Sequence, residues 1–413
     1  MDRLNRQFLN ILRKALRGES LRRPTDLTAE EWIRLMDLAQ SHHVLPLVYE
    51  AVHGLPELEN AAFLQPIRQT VRQQIMIQTQ KTCDFLELTR QLDAAELHPL
   101  VVKGIICRSL YPCPDHRISS DEDLLIPSEL FASCHQALLQ YGMEPFGDSE
   151  ASSEHYEIPY RKKNGLLYIE LHRHLFPPES AAYGDLNRFF QGVFQRSIIQ
   201  TIDGIPVHTM GCTDHLFYLI CHAFKHFLHS GFGIRQVCDI VMYANAYGAQ
   251  TDWQEILNHC QMIHAERFAA ALFQIGRKYL GFDPQKACYP AFWQGIAVDE
   301  TAMLEDLLCS GVYGSSNRSR LHSSNITLDA VAARKQQKKT GSAVLVSLFP
   351  SAGNLEKQYP YLKEHPYLLP AAWVSRICKY CIESKGSRQH NASEALKIGN
   401  RRVALLKEYG IIE

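Results

Sequence analysis

Apolar residues recur at helical spacing from the start of the chain. Phe8, Leu9, Ile11, Leu12 and Leu16 share one face of a 3.6-residue repeat, and a second such run spans Gln74 to Glu96. The texture changes at His98-Pro99-Leu100-Val101-Val102-Lys103-Gly104, a short apolar run closed by glycine, which predicts a buried strand entering a turn and then a short helix over Ile105 to Leu110. Arg117-Ile118-Ser119-Ser120-Asp121-Glu122-Asp123-Leu124-Leu125-Ile126-Pro127 reads as a central strand with proline at its exit. Ser128 then caps a helix through about Tyr141, stopped by Gly142. Tyr156 to Lys162 and Leu166 to His172 flank Lys163-Asn164-Gly165, a hairpin signal. From Thr213 onward the helical pattern returns and persists. The predicted class is α+β: a small mixed sheet over residues 98–210 between a helical region at 1–97 and another at 211–413, with a mobile basic loop near 314–341.

Composition narrows this picture. A chain of 413 residues has room for two or three packed units, and 46% hydrophobic with 21% charged residues is ordinary globular usage. The net charge of -1 argues against broad electrostatic capture of nucleic acid. No secretory signal opens the sequence and no long uninterrupted apolar stretch follows, so the expectation is a cytoplasmic protein without membrane insertion. Twelve scattered cysteines then read as reduced thiols, and Cys378 with Cys381 as two cysteines on a helix rather than a zinc site.

Candidate chemistry begins at Asp121 and Asp123. On a strand the two side chains project to one face while Glu122 points away, so a pair of carboxylates meets one cation. Mg²⁺ takes one or two carboxylates plus substrate phosphates, which makes such a pair a clamp for a metal–triphosphate complex; the alternative is a solvated turn. The apolar Leu124, Leu125 and Ile126 favour a sheet end opening into a cleft, because buried carboxylates without a counter-charge are costly. Glu170, sharing a face with His172 in Tyr168-Ile169-Glu170-Leu171-His172, is the candidate third acid and general base if its strand lies beside the first. Otherwise it is an exposed strand residue.

Together, Val101-Val102-Lys103-Gly104, Tyr111-Pro112, Arg117, Asp121-Glu122-Asp123-Leu124-Leu125 and Ile169-Glu170-Leu171-His172 resemble an uncharacterised nucleotidyltransferase family of the polymerase-β-type superfamily. The likeness continues in His222-Ala223-Phe224-Lys225-His226 with Asp239, and in Leu348-Phe349-Pro350, Tyr359-Pro360-Tyr361, Leu368-Leu369-Pro370 and Trp373. It implies a nucleotidyltransferase core and transfer of a nucleoside monophosphate from a nucleoside triphosphate to an acceptor hydroxyl, with Mg²⁺ (or Mn²⁺) held by Asp121, Asp123 and Glu170. Two departures stand out. Lys103-Gly104 replaces the usual Gly-Ser or Gly-Gly pair, and Glu122 replaces a hydrophobic residue, so a buried Glu122 needs a partner. Gly104 still permits phosphate to approach a helix N-terminus, and Lys103 adds a charge there, or is a lysine at an exposed strand end.

On the helix after Thr213, His215, His222, His226 and His229 form a row beside an apolar stripe. Zinc binding, packing at the core rim and a nucleotide-facing surface all remain open for it. Lys225 can reach a triphosphate from this side, and Arg235 either binds phosphate or pairs with Asp239. The leading reading is a nucleotidyltransferase using ATP, with Lys103, Gly104, Arg117, His222, Lys225 and Arg235 on the nucleotide, His172 orienting substrate or donating a proton, and a small molecule as acceptor. The alternative is a catalytically inactive nucleotide-binding or scaffold protein.

Overall fold

Asp2 opens α1 (Arg3–Leu16) by accepting the Asn5 amide on its carboxylate, and the helix buries Phe8, Leu9, Ile11, Leu12, Ala15 and Leu16. Thr28 and Glu31 form a reciprocal capping box at α2 (Ala29–Ser41), and α3 (Leu45–Val52) and α4 (Leu64–Ala94) complete the helical approach to the sheet. The computed structural model describes residues 1–23, 25–59, 61–146, 155–229, 231–311, 327–328, 330–335, 352–355, 359–375 and 392–412.

Seven strands form one mixed sheet: β1 (Leu100–Val102), β2 (Glu122–Leu125), β3 (Met143–Pro145), β4 (Glu157–Lys162), β5 (Tyr168–His172), β6 (Ile198–Ile202) and β7 (Ile205–Thr209). Their order is β3-β4-β5-β2-β1-β7-β6, with β2 parallel to β5 and β1 parallel to β7. The hairpin at Asn164-Gly165 joins β4 to β5, with Asn164 at φ +59°. Three strands go beyond the sequence reading. Of these, β6 and β7 are joined by Asp203-Gly204, both at positive φ, a hairpin signal of the same kind as Asn164-Gly165.

Helix α5 (Gly104–Arg108) leaves β1 directly. Ser128 does not cap a helix as expected: it starts a 3-10 turn, Ser128–Leu130, and α6 (Phe131–Gln140) follows without a side-chain cap. Beyond β7 run α7 (Cys212–Leu228), α8 (Ile234–Tyr247), α9 (Trp253–Met262) and α10 (Glu266–Ile275). One apolar core runs from Phe8 through the sheet to Ile412. Most of the basic loop expected near 314–341 lies outside the described residues, as do Cys378 and Cys381; within it, residues 330–335 are helical. Arg334 Nη1 there donates to the Gly410 carbonyl at 2.8 Å. Among the described residues no helix is long and apolar enough to cross a membrane.

His42 ties the amino-terminal helices to this core. Its Nδ1 accepts the Ile234 amide at 3.3 Å, so Nε2 carries the proton and donates to the Leu308 carbonyl at 3.2 Å. Burial, partly offset by that carbonyl, depresses its pKa from 6.5 to about 4. The unfolded chain therefore binds this proton first as pH falls, so the stability is intact above pH 6.5 and is lost on the way down to about 4. We expect urea melts to show a loss of about 2 kcal/mol from this group between pH 7 and pH 5, and His42→Asn to flatten that part of the pH profile.

Candidate active site

The turn after β1 sets the geometry. Lys103 has φ +61° and ψ -123°, a conformation that favours glycine and costs a residue with a side chain about 1–3 kcal/mol. His215 of α7 holds the strained backbone. Thr209 Oγ1 donates its proton to the Val101 carbonyl at 2.6 Å and so accepts from His215 Nδ1 at 3.1 Å, which leaves Nε2 to accept the Lys103 amide at 3.2 Å. Burial pushes the His215 pKa down to about 3, which keeps the ring neutral for this duty.

Strand alternation then separates the acids. Glu122 is buried on one face, where its carboxylate meets Arg108 Nη2 at 2.7 Å, the Ile105 amide at 2.7 Å and Ser119 Oγ at 3.2 Å. It therefore has the partner that its burial demands, and it takes an amide at the α5 N-terminus that the sequence reading reserved for phosphate. A Cβ on Gly104 would sit 1.9 Å from Glu122 Oε2, so this glycine is required by the carboxylate.

Asp123 faces the other way. Register pairs it with Glu170 across the parallel β2–β5 ladder, and one ligand atom from each of Asp123, Glu170 and His172 lies within 4.8 Å of the others. His172 Nε2 is 3.2 Å from Asp123 Oδ1 and 3.6 Å from Glu170 Oε2, while its Nδ1 is 3.4 Å from Glu157. Lys103 Nζ stands 2.8 Å from Asp123 Oδ2 and 3.3 Å from His222 Nε2. Asp121, one residue before β2, lines the same cleft outside the 4.8 Å cluster.

These contacts tune the acids in opposite directions. Burial alone would raise the Asp123 carboxyl, but Lys103 and His172 hold it well below the usual carboxylate range. Glu170 moves up, first through burial and then through the charges of Asp123 and Asp121, against the pull of His172. Burial works against a charged His172, yet hydrogen bonds to Asp123 and Glu170 raise its pKa to about 9, which favours the imidazolium at neutral pH. Asp123 Oδ2 is buried, and among the described residues its partner is the Lys103 ammonium at 2.8 Å. An under-satisfied carboxylate oxygen beside a second carboxylate is a hard oxygen donor set of the kind Mg²⁺ or Mn²⁺ takes.

The opposite wall comes from α7. Tyr218, His222, Lys225 and His226 line a cleft of about 350 Å³ together with Lys103, Asp121, Asp123, Glu157, Tyr168, Glu170 and His172. Burial lowers the pKa of Lys225, and burial with the neighbouring Lys103 and Lys225 charges lowers those of His222 and His226. A larger groove of about 850 Å³ runs along Lys14, Arg22 and Arg23, but it brings no comparable set of buried acids together.

At the inner end, Arg117 is committed to Asp239 through two hydrogen bonds of 3.0 and 2.6 Å, with Tyr111 Oη donating to the same carboxylate at 2.8 Å. Arg235 donates to the Ile118 carbonyl, so of the two fates weighed for it, pairing with Asp239 falls to Arg117 instead. Both arginines still line the inner pocket with Lys103, Gly104, Asp121, Asp123 and His222. The histidine row divides: His215 clamps backbone, His222 and His226 line the cleft, and His229 lies outside the lining. Among the described residues no group of three metal-ligating side chains includes His222 or His226.

Several residues of this site escape the sequence reading. Glu157 lies opposite His172 in the β4–β5 register, and counting back from Asn164-Gly165 reaches that pair. Tyr218 sits four residues before His222, on the same helical face. Lys81 of α4, buried, donates to the Ser119 and Ser120 carbonyls at 2.7 Å each and so holds the segment leading into Asp121, with no local motif to announce it.

A family model described as an uncharacterised nucleotidyltransferase matches residues 28–281, a stretch that holds the sheet, the acids and the α7 wall. The resembling segments from Leu348 to Trp373 lie beyond that match. No curated protein and no solved structure matches the chain. Over more than half its length, and with the mixed sheet flanked by helices that such an enzyme needs, the chain belongs to the uncharacterised nucleotidyltransferase family, whose activity is transfer of phosphorus-containing groups.

Proposed function

We propose that the chain moves a nucleoside monophosphate from ATP to the hydroxyl of a small molecule, with Mg²⁺ or Mn²⁺ held by Asp121, Asp123 and Glu170. The observation that carries this reading is the parallel β2–β5 register, which sets Glu170 beside Asp123 and across the cleft from Lys225 and His226. The divalent ion would draw charge from the phosphate oxygens when bound. Lys103 and Lys225 supply cations for the triphosphate, with Gly104, Arg117, His222 and Arg235 forming the inner wall.

The acceptor oxygen attacks the phosphorus of the nucleoside monophosphate unit, its proton passes to Glu170, and the bond to pyrophosphate breaks. Glu170 is suited to that role by its position, partly buried at the cleft and beside Asp123 in the β2–β5 register. His172, charged and held between Asp123 and Glu170, orients both acids. Glu122 counts against the inactive-scaffold alternative, because a buried glutamate paired with Arg108 gives that departure a structural purpose.

The test is pyrophosphate release from each nucleoside triphosphate, with Mg²⁺ and a deproteinised cell extract as the source of acceptor. Wild-type protein should release pyrophosphate in step with label transfer to an extract component. Glu170→Gln should slow this by about 10²–10⁴-fold while nucleotide binding persists; full activity in that variant contradicts the assignment of the base.

A further inference from the structure

Lys103 combines two features that ordinarily exclude each other. Its backbone sits where glycine is favoured, and its side chain reaches the buried Oδ2 of Asp123, an oxygen with no partner besides that ammonium among the described residues. A lysine at such a position points to a use for its ammonium group. Its neighbours are arranged to keep it. His215, oriented through Thr209, holds the Lys103 amide, and His222 Nε2 lies 3.3 Å from its Nζ. The ammonium stands 2.8 Å from Asp123 Oδ2, while Oδ1 is taken by His172. Lys103 thus covers the one carboxylate oxygen of Asp123 that is left for a cation.

Two cations within a few ångströms of one another repel strongly in a partly dry cleft. The Lys103 side chain also lines both the inner pocket and the outer cleft, and its flexible four-carbon stem lets the charge move between them. We propose that Lys103 is an exchangeable counter-ion for Asp123: its ammonium neutralises this acid in the free enzyme, leaves it when a divalent cation binds, and turns to the phosphate chain that accompanies the cation. One side chain then couples the two ligands. Metal without nucleotide must displace the lysine and gains nothing from its release, whereas metal with triphosphate gives the displaced charge a new partner. This inference rests on the nucleotidyl-transfer reading of the same cleft.

Coupling of this kind is reciprocal and measurable without turnover. The experiment is titration of full-length protein with MnCl₂, read by electron paramagnetic resonance, with and without a nonhydrolysable ATP analogue. Wild-type protein should bind Mn²⁺ weakly alone and at least about fivefold more tightly with the analogue present. In Lys103→Met, Mn²⁺ alone should bind at least about fivefold more tightly than to wild type, and the enhancement by the analogue should shrink. Lys103→Gly repeats the test in a variant that also relieves the positive φ, which offsets part of what the lost ion pair costs in stability. Unchanged or weaker binding of Mn²⁺ alone in both variants overturns the exchange, while the reading of the cleft survives if Asp123→Asn abolishes Mn²⁺ binding in the presence of the analogue. Failure to detect any Mn²⁺ binding that depends on Asp123 overturns both.

Discussion

Asp121→Asn removes nucleotidyl transfer, lowering the rate by at least about 10²–10³-fold, while its melting temperature stays at the wild-type value. Asp121 lines the cleft only partly buried and outside the tight cluster, so its loss takes charge from the proposed metal site without breaking a core contact. Asp123→Asn loses transfer at least as completely but also loses stability, by about 1–3 kcal/mol, because its buried carboxylate is the shared partner of Lys103 and His172. The pair of variants therefore separates chemistry from folding. Label transfer from ATP and denaturant melts, run on the same preparations, read the two effects; wild-type transfer by either variant contradicts the account.

The largest effect on stability should come from the opposite face of β2. Arg108 and Glu122 are both fully buried, 2.7 Å apart, and Glu122 also anchors the first turn of α5. Arg108→Met leaves that carboxylate without its charge partner and should cost about 3–5 kcal/mol in urea unfolding. Adding Glu122→Gln to Arg108→Met should recover part of the loss, since the stranded charge is then gone. A loss under about 1 kcal/mol in the single variant would mean that the pair behaves as an exposed ion pair.

How far the sequence alone reached depended on the range of the contacts involved. Local pattern carried α1, α4, β1, β2 and the β4–β5 hairpin, since each rests on spacing or turn residues within a short window. The convergence of Asp123 with Glu170 was legible only as a condition, that one strand lie beside the other, because the β2–β5 pairing is long-range and parallel. Arg117 shows the limit. Nothing around it in the chain reveals that Asp239, over a hundred residues later, takes up its guanidinium. Lys103 is the reverse case: its departure from glycine is visible in the sequence, but its meaning waits on the positive φ and on where the ammonium lands.

The measurement that bears most directly on the central claim is a crystal structure of the protein with a nonhydrolysable ATP analogue and Mn²⁺, the metal located by its anomalous signal. The expected result is Mn²⁺ on the Asp121, Asp123 and Glu170 carboxylates, the triphosphate against Lys225, and the Lys103 ammonium withdrawn from Asp123. Metal bound away from these acids, or a triphosphate lying outside the cleft between β2, β5 and α7, contradicts it.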